Sequence, residues 1–259
     1  MTLLSESVVL VCPLHDPEER ILQELKNLGT NLTEIYGGLV GISVSRTTSK
    51  KTIEALKQAS THLLIQNKKT GLSLGDNYRQ AIRLGLGLNT SHIHLMDFDR
   101  ALHWVRRYPQ ELNEVVKKIT TFSGFLSFVR TRRAFESHPL IQRTTETTIN
   151  AIASEVAGVD VDIMSGSFGM DRDLATLIVK ESKRQDFGIY AEFLEITLKH
   201  KVRVNTIEVD GLEWETPDQY QDKIEKEGYT AWLDEFESLP EWKKRVKLIE
   251  KSTEVLTKS

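Results

Sequence analysis

A chain of 259 residues, 39% of them apolar and 27% charged, can bury one large α/β core. Its net charge is -3, and no basic block or basic-aromatic interleaving points to a nucleic-acid partner. The single cysteine, Cys12, sits in an apolar run, which rules out an intramolecular disulfide or a multi-cysteine metal site and suits a reducing compartment. The N-terminus lacks a signal-peptide pattern and no stretch approaches the ~20 apolar residues of a membrane span, so a soluble, cytoplasmic protein is expected.

Ser7 to Cys12 is a short continuous apolar run, the pattern of a parallel strand covered on both faces. It leads into Pro13-Leu14-His15-Asp16-Pro17-Glu18-Glu19, where Asp16 reads as an N-cap, Pro17 as the first helical residue and the glutamates as partners of the helix dipole. The helix carries Ile21, Leu22, Leu25 and Leu28 on one face, with Gly29 as its stop. Leu39 to Ser45 is a second strand, Ser49 caps a second helix, and His62 to Gln66 is a third strand. Gly71-Leu72-Ser73-Leu74-Gly75 opens a helix through Asn77 and Arg79 to about Leu88, and His92 to Met96 is a fourth strand. Regular alternation of this kind predicts right-handed crossovers and a mostly parallel central sheet flanked by helices.

Ligands in such sheets lie beyond the carboxyl ends of the strands. Pro13 to Asp16, Ser45-Arg46, Gln66-Asn67 and Asp97 to Arg100 should therefore converge. Asp97-Phe98-Asp99 is the most informative of these. If the strand continued through it, the two carboxylates would point to one side. Such a pair suits magnesium or manganese, which take one or two carboxylates together with substrate phosphates.

The second half is less regular. Pro109 begins a helix, Phe125 to Val129 reads as a strand running into Arg130-Thr131-Arg132-Arg133, and a helix covers Gln142 to Ala157. Val159 to Ile163 alternates and reads as a half-exposed strand, followed by Ser165 to Asp171 as a glycine-serine loop. A helix near Tyr190 to His200 precedes a strand from Val202 to Val209. The end of the chain is charged and helical, with Trp232 and Trp242 as docking points.

This order of features resembles the GT-A-fold nucleotide-sugar glycosyltransferases, of a family-2-like or mannosylglycerate-synthase-like kind. The matching stretches are Cys12-Pro13-Leu14-His15-Asp16, the glycine-led helix Gly71 to Arg79, and Asp97-Phe98-Asp99 at the end of the fourth strand. The resemblance spans roughly residues 7–210. It implies a Rossmann-like GT-A domain over 1–215, with a nucleotide-binding half (1–105) and an acceptor half (106–215), and a helical C-terminal extension (216–259) packed on it. It also implies metal-dependent hexosyl transfer from a nucleoside-diphosphate sugar to a small-molecule or glycan acceptor. Asp97 and Asp99 would hold Mn2+ or Mg2+, and Pro13, Leu14, His15, Asp16, Ser45, Gly71, Asn77, Arg79, Asp97 and Phe98 would bind the donor. Arg100, Arg130 and Arg132 are candidates for an acceptor or phosphate, and Glu192, then Asp171, for the catalytic base. A homodimer is left open.

The chain departs from the family pattern at Ser45-Arg46-Thr47-Thr48, where many relatives carry an acidic residue for the nucleoside. His200 and Glu213-Trp214-Glu215 stand loosely where some relatives have a late metal-binding histidine. Two other readings fit parts of the sequence. A haloacid-dehalogenase-like phosphatase would use Asp97 as nucleophile and Asp160-Val161-Asp162 as its late acidic motif. A catalytically silent nucleotide-sugar-binding protein would explain a loose match at Glu192. A nucleotidyltransferase lacks support, because no glycine-rich arginine loop follows the first strand.

Overall fold

The computed structural model describes residues 5–59, 61–65 and 73–257. Within them, seven strands form one sheet in the order β3-β2-β1-β4-β6-β5-β7. The first half is the expected β-α alternation: β1 (Ser5–Leu14), α1 (Leu22–Ile35), β2 (Val40–Val44), α2 (Lys50–Gln58), β3 (His62–Ile65), α3 (Leu74–Gly87) and β4 (Thr90–Met96). β1 is parallel to both β2 and β4, with Val11 opposite Gly41 and Leu95. Leu10 and Cys12 feed one core and Val9 and Val11 the other, so β1 is buried on both faces, as its unbroken apolar run requires. His62-Gly41 pairing places β3 at the edge.

After β4 come α4 (Phe98–Arg107), α5 (Pro109–Ile119), β5 (Phe125–Arg130), α6 (Arg132–Glu136) and α7 (Leu140–Ala157). Then follow β6 (Ser167–Asp171), α8 (Arg172–Glu181), α9 (Ile189–Lys199) and β7 (Val204–Val209). β6 runs antiparallel to both β4 and β5, whereas β5 and β7 are parallel. The sheet is therefore mostly parallel with one reversed strand. The chain ends in a 3-10 turn (Thr216–Tyr220), α10 (Gln221–Glu227), α11 (Tyr229–Phe236) and α12 (Leu239–Leu256). Trp232 is buried and stacks on Trp214 at 5.3 Å. α12 lies against α7 and α9. Among the described residues no helix is long and apolar enough to cross a membrane.

Several local expectations are corrected. α1 starts at Leu22, after a turn, because Asp16 is not a helix cap. Its carboxylate is buried and accepts from Arg20 N at 2.8 Å and Thr52 Oγ1 at 2.8 Å. Gly29 does not end α1; it lies inside it, where a Cβ would come within 2.9 Å of the Ala59 methyl. Val159 to Ile163 is loop, and the strand is the glycine-containing Ser167–Asp171. Gly169 is required there because a Cβ would meet Leu126 at 3.0 Å on the neighbouring strand. Gly71, together with Gln66 and Asn67, lies outside the described residues.

Candidate active site

The carboxyl ends of β1 and β4 meet at Asp97. The strand does not continue through the acidic pair: Asp97 has extended backbone angles and is the N-cap residue of α4, and Asp99 sits in the first turn of that helix. Their proximity arises from this strand-to-helix turn and not from strand alternation. Tyr78, on α3, donates its hydroxyl hydrogen bond to Asp97 Oδ1 and is itself hydrogen-bonded to the Tyr190 hydroxyl. Asp97 Oδ2 lies 3.6 Å from Arg100 Nε. Burial and then the Asp99 charge push the Asp97 carboxyl up to about 6, against the opposing pull of Arg100. Asp99 accepts from Arg100 N at 2.9 Å and from Gln219 Nε2 at 2.6 Å.

Asp97 borders two cavities. The first, of about 310 Å³, is lined by Pro13, Leu14, His15, Asp16, Arg20, Phe98, Asp99 and Gln219. The second, of about 260 Å³, opens on the other side toward α7 and α12 and includes Arg100, Gln142, Glu146, Phe187, Tyr190, Lys244, Arg245 and Leu248. Gly166 lines the second cavity against Asp97 and Arg100. Its φ is +68°, and a Cβ would fall 3.1 Å from both Asp97 Oδ2 and Arg100 Nε.

The first cavity gathers most of the N-terminal candidates. His15 is exposed and its Nδ1 lies 2.8 Å from Ser45 Oγ, so Ser45 supports the imidazole but is not among the residues lining the cavity. Phe98 borders the space yet is 1% exposed and packs in the core. The 3-10 turn Thr216–Tyr220 borders this cavity through Gln219. Tyr220 accepts from Arg20, whose guanidinium lies 4.7 Å from the ring centroid, while Asp218 pairs with His103 at 2.6 Å.

Other candidates fall outside. Asn77 is in the first turn of α3 and borders neither cavity. Arg79 is 3% exposed and is consumed structurally: it bonds Asp76 at 2.8 Å, the Arg184 carbonyl at 2.7 Å and Ser182 Oγ at 3.0 Å. Arg130 is buried in a fork with Asp162, at 2.7 and 2.9 Å, and also meets Glu146 at 2.8 Å. Arg132 is open to solvent and pairs only locally with Glu136. Neither forms the cationic cluster that adjacency in sequence suggested. Asp162 is the partner of Arg130 and so cannot serve as a second acidic motif beside Asp97.

Both base candidates are displaced. Glu192 is buried behind the site and accepts from Ser182 Oγ at 2.5 Å and from the backbone N–H groups of Lys183 and Arg184 at 2.9 to 3.2 Å. It anchors a loop. Asp171 sits opposite His92, at the far end of β4, and caps α8 through Leu174 N at 2.9 Å. Reversal of β6 carries it to the opposite end of the strands from Asp97.

The donor set at Asp97 and Asp99 suits a hard divalent cation. Both side chains are carboxylates, their mutual repulsion favours a positive ion, and Glu215 Oε2 is buried nearby without a hydrogen-bond partner. Among the described residues no three acidic, histidine or cysteine side chains form an all-protein metal cage. The remaining positions would have to come from a ligand. Arg100 is held charged: burial opposes the charge, but Glu215 at 3.5 Å and Asp97 outweigh it.

No family model matches the sequence, and no curated protein matches it. Solved structures do. One is glucosyl-3-phosphoglycerate synthase of Mycobacterium tuberculosis, at 12% identity, TM-score 0.51, covering 79% of this chain and 72% of the other. The same enzyme in complex with uridine diphosphate gives 13% identity and TM-score 0.53, over 79% and 71%. In complex with Mn2+, uridine diphosphate and phosphoglyceric acid it gives 11% identity and TM-score 0.50, over 79% and 69%. At such identity the likeness is one of architecture, and it shows that this chain has the GT-A-like fold of nucleotide-sugar transferases.

Proposed function

We propose that the protein is a metal-dependent glycosyltransferase that moves a sugar from a nucleoside-diphosphate donor to a small-molecule acceptor. The observation that carries this reading is the position of Asp97, on the wall between two cavities. A donor in the first cavity and an acceptor in the second would meet beside it. The neighbouring structures hold Mn2+ and uridine diphosphate, which supports the same pair of co-ligands here.

Asp97 and Asp99 would hold Mg2+ or Mn2+, which supplies charge neutralisation for the departing diphosphate. Tyr78 fixes the Asp97 carboxylate by its hydroxyl, and Tyr190 fixes Tyr78 in turn. His15 and Arg20 face the nucleotide, and Gln219 closes the cavity over it. Arg100 places a permanent positive charge on the acceptor side of the acidic pair. In the transfer the bond from the sugar anomeric carbon to the diphosphate breaks, a bond to an acceptor hydroxyl oxygen forms, and the hydroxyl proton is released. The single cysteine agrees with a cytoplasmic setting.

Calorimetric titration of uridine and guanosine diphosphates, with and without manganese, tests the reading on the wild type and on the double variant Asp97→Asn, Asp99→Asn. Metal-dependent binding is expected for the wild type and should vanish in the variant. Undiminished metal-dependent binding in the variant would sink the proposal.

A further inference from the structure

The second cavity has a chemical character of its own. At about 260 Å³ it falls just under the usual range for drug-sized ligands, so it suits a small molecule and not a glycan chain. One wall is apolar: Phe187, Tyr190, Met164 and Leu248. Phe187 is 51% exposed. It stands on the loop that Glu192 anchors and that Arg184 ties to α12 through the Lys251 carbonyl at 3.1 Å. As part of the cavity lining, this ring offers an apolar face to whatever occupies the cavity.

The opposite side is polar and short of partners. Arg100 Nε and Nη1 are buried without hydrogen bonds, and so is Oε1 of Gln142, a residue only 6% exposed. Lys244 and Arg245 add two more positive charges. The carboxylates facing them are accounted for: Glu146 is bonded by Arg245 at 2.9 Å and by Arg130, and Glu241 by Lys244 at 2.5 Å. Glu215 at 3.5 Å and Asp97 at 3.6 Å are the counter-charges of Arg100, and neither occupies its Nε or Nη1 with a hydrogen bond.

Building on the function proposed above, we infer that the acceptor is a small amphipathic hydroxy acid. Its carboxylate or phosphate meets Arg100 and Arg245, its hydroxyl donates to Gln142 Oε1, and its apolar body lies on Phe187. The inference separates this site from one built for a fully polar acid, which would leave the Phe187 wall uncovered.

Ligand-observed NMR titration of the full chain, with and without Mn2+ and uridine diphosphate, tests this. The probes are 3-phenyllactate, 4-hydroxyphenyl phosphate, 3-phosphoglycerate and the neutral 3-phenylpropane-1,2-diol. An aromatic acid should bind best, and the better of the first two identifies carboxylate or phosphate. Phe187→Ala should weaken that acid about five- to tenfold while leaving 3-phosphoglycerate unchanged. Because Phe187 is half exposed, this variant should keep its fold; Lys244→Ala, at a 70% exposed side chain, gives a second probe of charge. Equal binding of the neutral diol, tighter binding of 3-phosphoglycerate, or indifference to Phe187→Ala would overturn the inference. If the nucleotide binds with manganese but no acid does, this inference falls and the donor reading stands. Acid binding without nucleotide binding has the reverse meaning, and absence of both rejects both.

Discussion

Replacing Asp97 by asparagine should make the ligand-free protein more stable while removing its affinity for a metal-nucleotide complex. The carboxyl is held at about 6 against an ordinary 3.8, with burial as the main cause and Asp99 as the second. At roughly 1.36 kcal/mol per tenfold change, the ionised form costs the fold about 3 kcal/mol above pH 6. Part of the side chain is open to solvent, so about 1–3 kcal/mol is the expected gain for the asparagine variant. For a chain of this size that corresponds to a rise in Tm of about 2–10 °C. The sign depends on pH in a defined way. A raised folded-state pKa means the fold is favoured while the group is protonated, and this advantage is lost as pH rises through 6. The Tm difference between variant and wild type should therefore be largest near pH 7.5, shrink below pH 6 and vanish near pH 4. Differential scanning calorimetry across that range, on metal-free protein, measures it. A variant less stable than wild type at pH 7.5, or a difference that grows on acidification, would refute the electrostatic account of this site.

Three further outcomes follow from the same structure. Glu192→Gln should lower stability by about 1–3 kcal/mol, since one carboxylate serves a hydroxyl and two backbone donors, while turnover measured well below its Tm stays near wild type; a selective loss of turnover would restore Glu192 as the base. Gly75→Ala should cost about 3 kcal/mol or more, because the new Cβ would fall 1.9 Å from the Arg184 carbonyl oxygen, and chemical denaturation reads the loss directly. His94 is fully buried between Tyr36 and Ser167, and burial lowers its pKa from 6.5 to about 3. The unfolded chain then takes up a proton that the fold refuses, so stability falls as pH drops from 6.5 toward 3, by on the order of 5 kcal/mol in full. His94→Gln should flatten that part of the pH–stability curve, and an unchanged slope would count against it.

The first half of the fold was legible because its signals are local. β1 is buried on both faces and so reads as an unbroken apolar run, and Ser49 sits where a helix cap belongs, accepting from Thr52 N. β6 was not legible. Its Ser167-Phe168-Gly169-Met170 looks like a turn, and only the approach of Leu126 explains Gly169. Conversely, the alternating Val159 to Ile163 mimics a strand, but Asp162 is buried because it needs Arg130, not because a sheet face demands it. α4 was visible in the spacing of Phe98, Ala101, Leu102 and Val105, all buried, and reading Asp97–Asp99 as strand end concealed it. At the candidate site, the acidic pair could be found from its place after β4. Of the cations, Arg100 could be found in the same way, and the others could not. Arg130 and Arg132 were grouped by adjacency, whereas the second cavity takes Lys244 and Arg245 from a helix more than 140 residues downstream of Arg100. Nothing periodic in a chain announces which guanidinium a distant cavity will receive.

The placement of α12 divides the molecule's chemistry by position along the chain. The first cavity is built chiefly from residues before Arg100, and one wall of the second from Glu241, Lys244, Arg245 and Leu248. On the proposed function, substitutions confined to α12 reshape the acceptor side without touching the donor side. On that reading, acceptor preference is a separable property of the chain, carried by one helix that can be exchanged while the first cavity stays intact.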